Sequence, residues 1–330
     1  AVGVAQQHIN TARRETDPRY LGYAQAALAP WWDMPAPPIP VRLLRATLLQ
    51  STHHFPEALR DLDAIVAAEP DNAQAWLTRA TVQTVRGDYA EATRSCARLS
   101  SISAQLVSIS CIANVGAMTG RAAASAALLD MTLKREADAD AGLQAWVLTL
   151  LGEIAERRGD AVKAEAHFKR ALVLTPRDSY LIGAYADFLL DQKRPNEVLV
   201  LVKDQERIDG LLLRQALALK QLPTQAEALH RADAELQARF NAAAQRGDTV
   251  HQREQARYEL HVRGDATGAL ALAKKNWDIQ KESADMRILL EASLKTGDKA
   301  AAASVLAWVS KNAVEDVAVQ SLVRQFKGGV

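Results

Sequence analysis

The chain carries Arg-Gly-Asp four times, at 86–88, 158–160, 246–248 and 263–265, and Gly-Asp alone at 297–298. The flanks of the first two copies share a pattern. In 73–102, Trp76, Arg79, Ala80 and Gln83 precede Gly87 at helical spacing, and Ala92, Cys96 and Leu99 follow it. In 145–176 the matching residues are Leu148, Leu151, Gly152 and Ala155, then Ala164, Phe168, Ala171 and Pro176 after Gly159. Each stretch reads as an amphipathic helix, a tight turn and a second amphipathic helix.

The turn explains the tripeptide. Glycine fits the left-handed position where a helix ends, which costs other residues energy. Aspartate then accepts a hydrogen bond from a free amide of the next helix and meets the positive end of its dipole. Arginine in the last turn of the first helix meets the negative end. Capping alone therefore generates Arg-Gly-Asp. The copy at 297–298 lacks the arginine, as capping allows and a cell-adhesion signal does not.

This pattern resembles the tetratricopeptide repeat, whose motif runs Trp-x2-Leu-Gly-x2-Tyr, Ala-x3-Phe and Pro over 34 residues. Leu148-x2-Leu151-Gly152-x2-Ala155, Ala164-x3-Phe168 and Pro176 match it best. The resemblance is strongest over 73–106 and 145–178, fair over 39–72, 250–282 and 283–315, and weaker over 106–144 and 179–206. In 39–72 the turn is "HHFPEA", and in 179–206 Lys193-Arg194 replaces Gly-Asp. The segment 207–249 departs most: its second helix, about Thr224 to Gln245, is longer than the family's, and Arg246–Asp248 follows that helix rather than joining a hairpin. The resemblance implies an all-α fold, a right-handed superhelical solenoid of antiparallel helix hairpins. One hairpin cannot bury both its apolar faces, so hairpins stack. Ala92, Ala164, Ala269 and Ala302 sit where paired helices cross.

Residues 1–38 differ. They read as a capping hairpin and a proline-rich connection. The second of its helices is opened by Asp17 as cap and Pro18 in the first turn. The five prolines of "PWWDMPAPPIP" (30–40) exclude a helix there. Trp31 and Trp32 either pack on the first full repeat or face a partner. The organisation is thus 1–38, repeats over 39–206, an expanded hairpin at 207–249 and repeats with a terminal cap over 250–330. "DPRYLGYAQAALAPW" is also similar to the start of some bacterial tetratricopeptide proteins.

Charge is balanced, with 40 basic and 39 acidic residues. That excludes the basic excess of a nucleic-acid binder and a polybasic membrane patch. No apolar run approaches the 18 or so residues of a membrane span. A start at Ala1 rather than Met fits either a removed leader, with periplasmic or exported protein then favoured over cytoplasmic, or a chain trimmed at its start. Walker, Gly-x-Gly-x-x-Gly, His-Glu-x-x-His and Gly-x-Ser-x-Gly motifs are absent, so neither catalysis nor a cofactor is expected. Nor is a metal: among the seven histidines only His53 and His54 adjoin, in a turn. His167 reads as a surface residue, and His251 and His261 fall ten apart on one helix. Cys96 and Cys111 lie on neighbouring helices of successive hairpins, where a disulfide is possible and free buried thiols are the alternative.

The family resemblance implies that positions 2, 5, 9, 12 and 13 of each repeat line a concave groove. In 145–178 these are Trp146, Thr149, Glu153, Glu156 and Arg157; in 179–206 they are Tyr180, Gly183, Asp187, Leu190 and Asp191. Two aromatics beside four carboxylates suit a protein or peptide partner with basic and apolar side chains. The bland alternative is that both aromatics pack on neighbouring helices. Leu43, Thr47 and Thr78, at inward positions of earlier repeats, do not form the Lys, Asn and Arg clamp by which some family members hold a C-terminal carboxylate. A binding scaffold is the expected function. A self-assembling structural protein and an enzyme with a site in the groove are its rivals.

Overall fold

The computed structural model describes residues 1–15, 19–247 and 250–328. Among them the regular structure is helical, and most helices pair in sequence. A first hairpin, α1 (Val2–Glu15) and α2 (Arg19–Ala27), is followed by a short helix α3 (Ala29–Trp32). Then come α4 (Ile39–Ser51) with α5 (Phe55–Ala68), α6 (Ala73–Arg86) with α7 (Tyr89–Leu99), and α8 (Gln105–Ala117) with α9 (Ala122–Arg135). Next are α10 (Ala141–Arg157) with α11 (Ala161–Leu174), α12 (Ser179–Asp191) with α13 (Pro195–Leu201), and α14 (Asp209–Lys220) with α15 (Ala226–Gln245). The last are α16 (Gln252–Tyr258) with α17 (Ala266–Ile279), α18 (Ser283–Thr296) with α19 (Ala303–Lys311), and α20 (Val317–Gly328). The all-α array of stacked hairpins is therefore present.

The turns follow the capping chemistry. Gly87, Gly159, Gly264 and Gly297 take φ of 81°, 78°, 79° and 75°. Asp160 Oδ1 accepts from Lys163 N at 3.1 Å, Asp265 Oδ1 from Gly268 N at 2.9 Å and Asp298 Oδ1 from Ala301 N at 3.0 Å. Asp88 is the exception. It makes no cap bond and pairs with Arg86 Nε at 2.9 Å instead. Where a repeat lacks glycine, His53 (φ 60°) and Lys193 (φ 59°) occupy the same left-handed region. Gly247 (φ 70°) ends α15, while Asp248, like the proposed cap Asp17 with Pro18, lies outside the described residues.

Small residues let the paired helices meet: Ala92, Ala164, Ala269 and Ala302 are fully buried. Gly152 shows why this repeat needs Leu-Gly opposite Phe. A Cβ on Gly152 would lie 2.7 Å from Phe168 Cε1. The Phe168 ring fills that space and packs on Tyr185 and Phe188, with centroids 5.6 and 5.9 Å away.

Two expectations are corrected. The proline-rich stretch is not free of helix. Pro30 and Pro40 stand in the first turns of α3 and α4, where the missing amide hydrogen is no loss. And 251–261 is not one helix: α16 gives way to a π turn over Glu259–Arg263, so His251 precedes α16 while His261 sits in the wider turn.

The chain divides into two compact units. One comprises Ala1–Val115 with Met131–Glu136, the other Gly116–Asp130 with Ala137–Val330. In the first, Trp31 and Trp32 pack on a core of Ala5, Ile9, Leu28, Val41, Leu44 and Leu48. Arg45 fixes the connection: it pairs with both oxygens of Asp61 at 2.7 Å and donates to the carbonyls of Trp32 and Met34. Cys96 on α7 and Cys111 on α8 are bridged, with Cα atoms 5.4 Å apart.

Candidate functional site

In the second unit the first helices of successive hairpins, α10, α12, α14, α16 and α18, turn charged side chains towards one another. Asp187 on α12 accepts from Arg214 Nη2 on α14 at 2.5 Å and from Arg257 Nη2 on α16 at 2.8 Å. Asp191, one turn on, holds Arg287 of α18 at 2.5 and 2.8 Å. Arg287 Nε also donates to Glu291 at 2.8 Å, and His261 Nε2 meets the other oxygen of Glu291 at 2.8 Å. Arg253 reaches Glu282 at 2.8 Å and the buried Asp285 at 3.4 Å. A helix three hairpins away thus reaches α12 directly. The first helices are laced together by ion pairs.

These pairs set the charges. Burial opposes ionisation of Asp187, but Arg214 and Arg257 outweigh it and hold the carboxyl well below the usual range. Burial likewise opposes ionisation of Glu291, yet His261 and Arg287 bring it down to about 2.

Glu153 and Glu156 on α10 are different: neither forms a salt bridge among the described residues. Glu153 accepts from the Tyr180 hydroxyl at 2.6 Å. Burial raises its pKa, with Arg157 and that hydroxyl only partly offsetting. Glu156 is pushed well up by burial and by the charges of Asp191, Asp187, Glu153 and Asp316. The negative charge of Glu153, with crowding, raises Tyr180 as well. Trp146, two turns before Glu153 on the same face of α10, is 40 % exposed, and Tyr180 is 65 % exposed. The exposed Tyr180 ring thus meets Glu153, with exposed Trp146 two turns before it and Glu156 one turn after it on α10, and neither carboxylate is in a salt bridge among the described residues.

Chain similarity adds little to this geometry. No protein-family model matches the chain, and no curated protein matches it. Solved structures it is similar to include tetratricopeptide repeat proteins. One, from Parabacteroides merdae ATCC 43184, shares 12 % identity over 88 % of this chain and 98 % of its own, with a TM-score of 0.39. The tetratricopeptide repeat domain of P58(IPK) shares 15 % over 98 % and 97 %, TM-score 0.29, and yeast Tom70 11 % over 98 % and 94 %, TM-score 0.24. At those scores the resemblance carries no argument about a site.

The residues expected to line the groove separate into groups. Tyr180 meets Glu153, while Trp146 and Glu156 lie two turns before and one turn after Glu153 along α10. Asp187 and Asp191 lie on the same face but are engaged by arginines. Thr149 and Leu190 are buried, the Thr149 hydroxyl donating to Ala145 O at 2.8 Å. Gly183 is covered by Arg214, whose Nε donates to its carbonyl at 2.9 Å. The arginines were the part sequence reasoning missed. Arg287 holds position 5 of repeat 283–315, so the repeat register could have found it. Arg214 and Arg257 hold position 8 of theirs, outside the inward set.

Elsewhere, an open cavity of about 500 Å³ lies at α17–α19, lined by Lys274, Trp277, Asp278, Leu289 and Asp298 among others, and no α10 or α12 residue lines it. Among the described residues no three His, Cys, Asp or Glu stand close enough to hold a metal ion, and no helix is long and apolar enough to cross a membrane. His167 is half-buried rather than on the surface, and burial lowers its pKa.

Proposed function

We propose that this chain is a non-enzymatic scaffold that binds a protein or peptide on the inner face of α10 and α12. The partner presents a basic side chain beside apolar ones. The observation that carries this is the contrast along one face. Asp187, Asp191, Glu282 and Glu291 each form a salt bridge with an arginine, whereas Glu153 and Glu156 form none, and Glu153 lies against the exposed Tyr180 ring and two turns along α10 from the exposed Trp146. A guanidinium or ammonium group there would relieve the repulsion around Glu156, and the rings would take its apolar neighbours. Asp187 and Asp191 belong to the framework in this reading. The disulfide accords with an oxidising compartment.

The test is capture with a photo-crosslinking residue at Tyr180, followed by titration of the captured segment. Trp146→Ala is expected to weaken binding by about 1–3 kcal/mol with helical content unchanged. Glu156→Gln should weaken it and flatten its dependence on salt. Unchanged affinity in both variants would place the partner on another surface.

A further inference from the structure

Two carboxylates one repeat apart are satisfied differently. Glu153 on α10 and Asp187 on α12 both hold position 9 of their repeats. Each takes a donor 27 residues on, from the first helix of the next hairpin. Asp187 Oδ2 accepts from Arg214 Nη2 at 2.5 Å, and Glu153 Oε1 accepts from the Tyr180 hydroxyl at 2.6 Å. Asp187 then takes a second donor from one hairpin further. Arg257, 70 residues on, reaches Oδ1 through Nη2 at 2.8 Å and Oδ2 through Nη1 at 3.3 Å. Glu153 receives no second donor. Among the described residues nothing donates to its Oε2, and that oxygen is not sealed from solvent.

The neighbouring cations are committed elsewhere. The residue 70 on from Glu153 is Pro223, beyond the end of α14. On α14 itself, Arg214 serves Asp187 and the carbonyls of Gly183 and Gly210, and Lys220 donates to the carbonyl of Val262. Arg253 of α16 is held by Glu254, Glu282 and Asp285. Arg157, one turn after Glu153, turns away, its Nη1 donating to Met118 Sδ at 2.9 Å. Glu153 thus has a neutral donor where Asp187 has one arginine, and an open place where Asp187 has the other.

We infer that the partner supplies an arginine to Glu153 Oε2, in the place that Arg257 fills at Asp187. The guanidinium pairs with the carboxylate beside the exposed Tyr180 ring, on which its flat face stacks. An ammonium brings the charge without the planar fork. That a partner lies here rests on the binding reading above, whereas the preference of Glu153 for a guanidinium is measurable without that partner.

The probe is the blocked tripeptide acetyl-Leu-Arg-Leu amide, beside the same peptide with citrulline or lysine at its centre. Each is titrated into protein carrying isotope-labelled tyrosine, and the Tyr180 signal, identified by its loss in Tyr180→Phe, reports occupancy. The arginine peptide should bind about tenfold more tightly than the citrulline peptide, the size of one charge-assisted hydrogen bond, with the lysine peptide between them. Glu153→Gln should bring the three to equal affinity. Glu156→Gln should weaken the arginine and lysine peptides alike and keep their order. Equal affinities in the native protein, no binding of the arginine peptide, or an arginine preference that survives Glu153→Gln would overturn the inference. A segment captured at Tyr180 while the peptides fail to discriminate would leave the binding reading standing and remove the arginine. Discrimination by the peptides with no captured segment would count against the binding reading alone.

Discussion

At the scale of single residues, the repeated tripeptide is a set of helix ends, and the structure separates its members. Asp265 caps α17 through Gly268 N, whereas Asp88 spends its carboxylate on Arg86 and leaves α7 uncapped. Asp265→Ala is therefore expected to destabilise by about 0.5–2 kcal/mol, and Asp88→Ala by clearly less, as for an exposed ion pair. Thermal melts of the two variants would decide it, and equal losses would refute capping as the reason for the motif. The same logic runs in reverse at Lys193. Its left-handed backbone costs a residue with a Cβ about 1–2 kcal/mol, and the side chain is exposed. Lys193→Gly should raise stability by a few tenths to about 1 kcal/mol once the extra freedom of the unfolded chain is subtracted. A fall in melting temperature would show that the strain is absorbed elsewhere.

At the scale of elements, hairpins were legible because turn chemistry and helical periodicity are local. Gly87, Gly159, Gly264 and Gly297 each ended a helix as their spacing implies. What escaped was set by partners distant in sequence. The π turn at 259–263 accompanies His261 reaching Glu291, and the arginines of α14 and α16 find Asp187 only once hairpins stack. The site was half legible. Register brought Trp146, Glu153 and Tyr180 to one face, but not which carboxylates would already be paired. The start of α18 shows a cost of such pairing. Asp285 is fully buried, accepting from Asn276 Nδ2 at 2.7 Å and Glu282 N at 2.8 Å. Burial, against the pull of Arg253, pushes its pKa from 3.8 up to about 6. A raised carboxyl contributes most stability when protonated, so its contribution should fade as pH rises from 3.8 to about 6. Glu254 and Glu291, lowered to about 2, work the opposite way, losing their contribution as pH falls below 4.5. Asp285→Asn isolates the first effect: the stability difference from the native chain should change across that window. A difference that is flat from pH 3.8 to 6 would mean that Arg253 compensates the buried charge.

At the scale of the whole molecule, stacked repeats hold by neighbour contacts, so stability need not be uniform along the chain. The two compact units differ in one covalent respect. The bridge between Cys96 and Cys111 lies in the first and closes a loop of 15 residues in sequence separation. Restricting a loop of that size in the unfolded chain is worth about 3 kcal/mol. Both cysteines are buried, and alanine fills part of each site without leaving a polar group. Cys96→Ala with Cys111→Ala should therefore lower the melting of the first unit by on the order of 10 °C and leave the second in place. Amide exchange resolved along the chain would show it as faster opening over 73–115, with protection retained through α12, α14 and α18. The second unit adds to its apolar core a set of ion pairs among its first helices, which salt screens and a disulfide does not touch. High salt should accordingly soften the second unit more than the first. Loss of protection in both units together on removing the bridge would mean that the chain unfolds as one cooperative block, with α8 and α9 transmitting the loss.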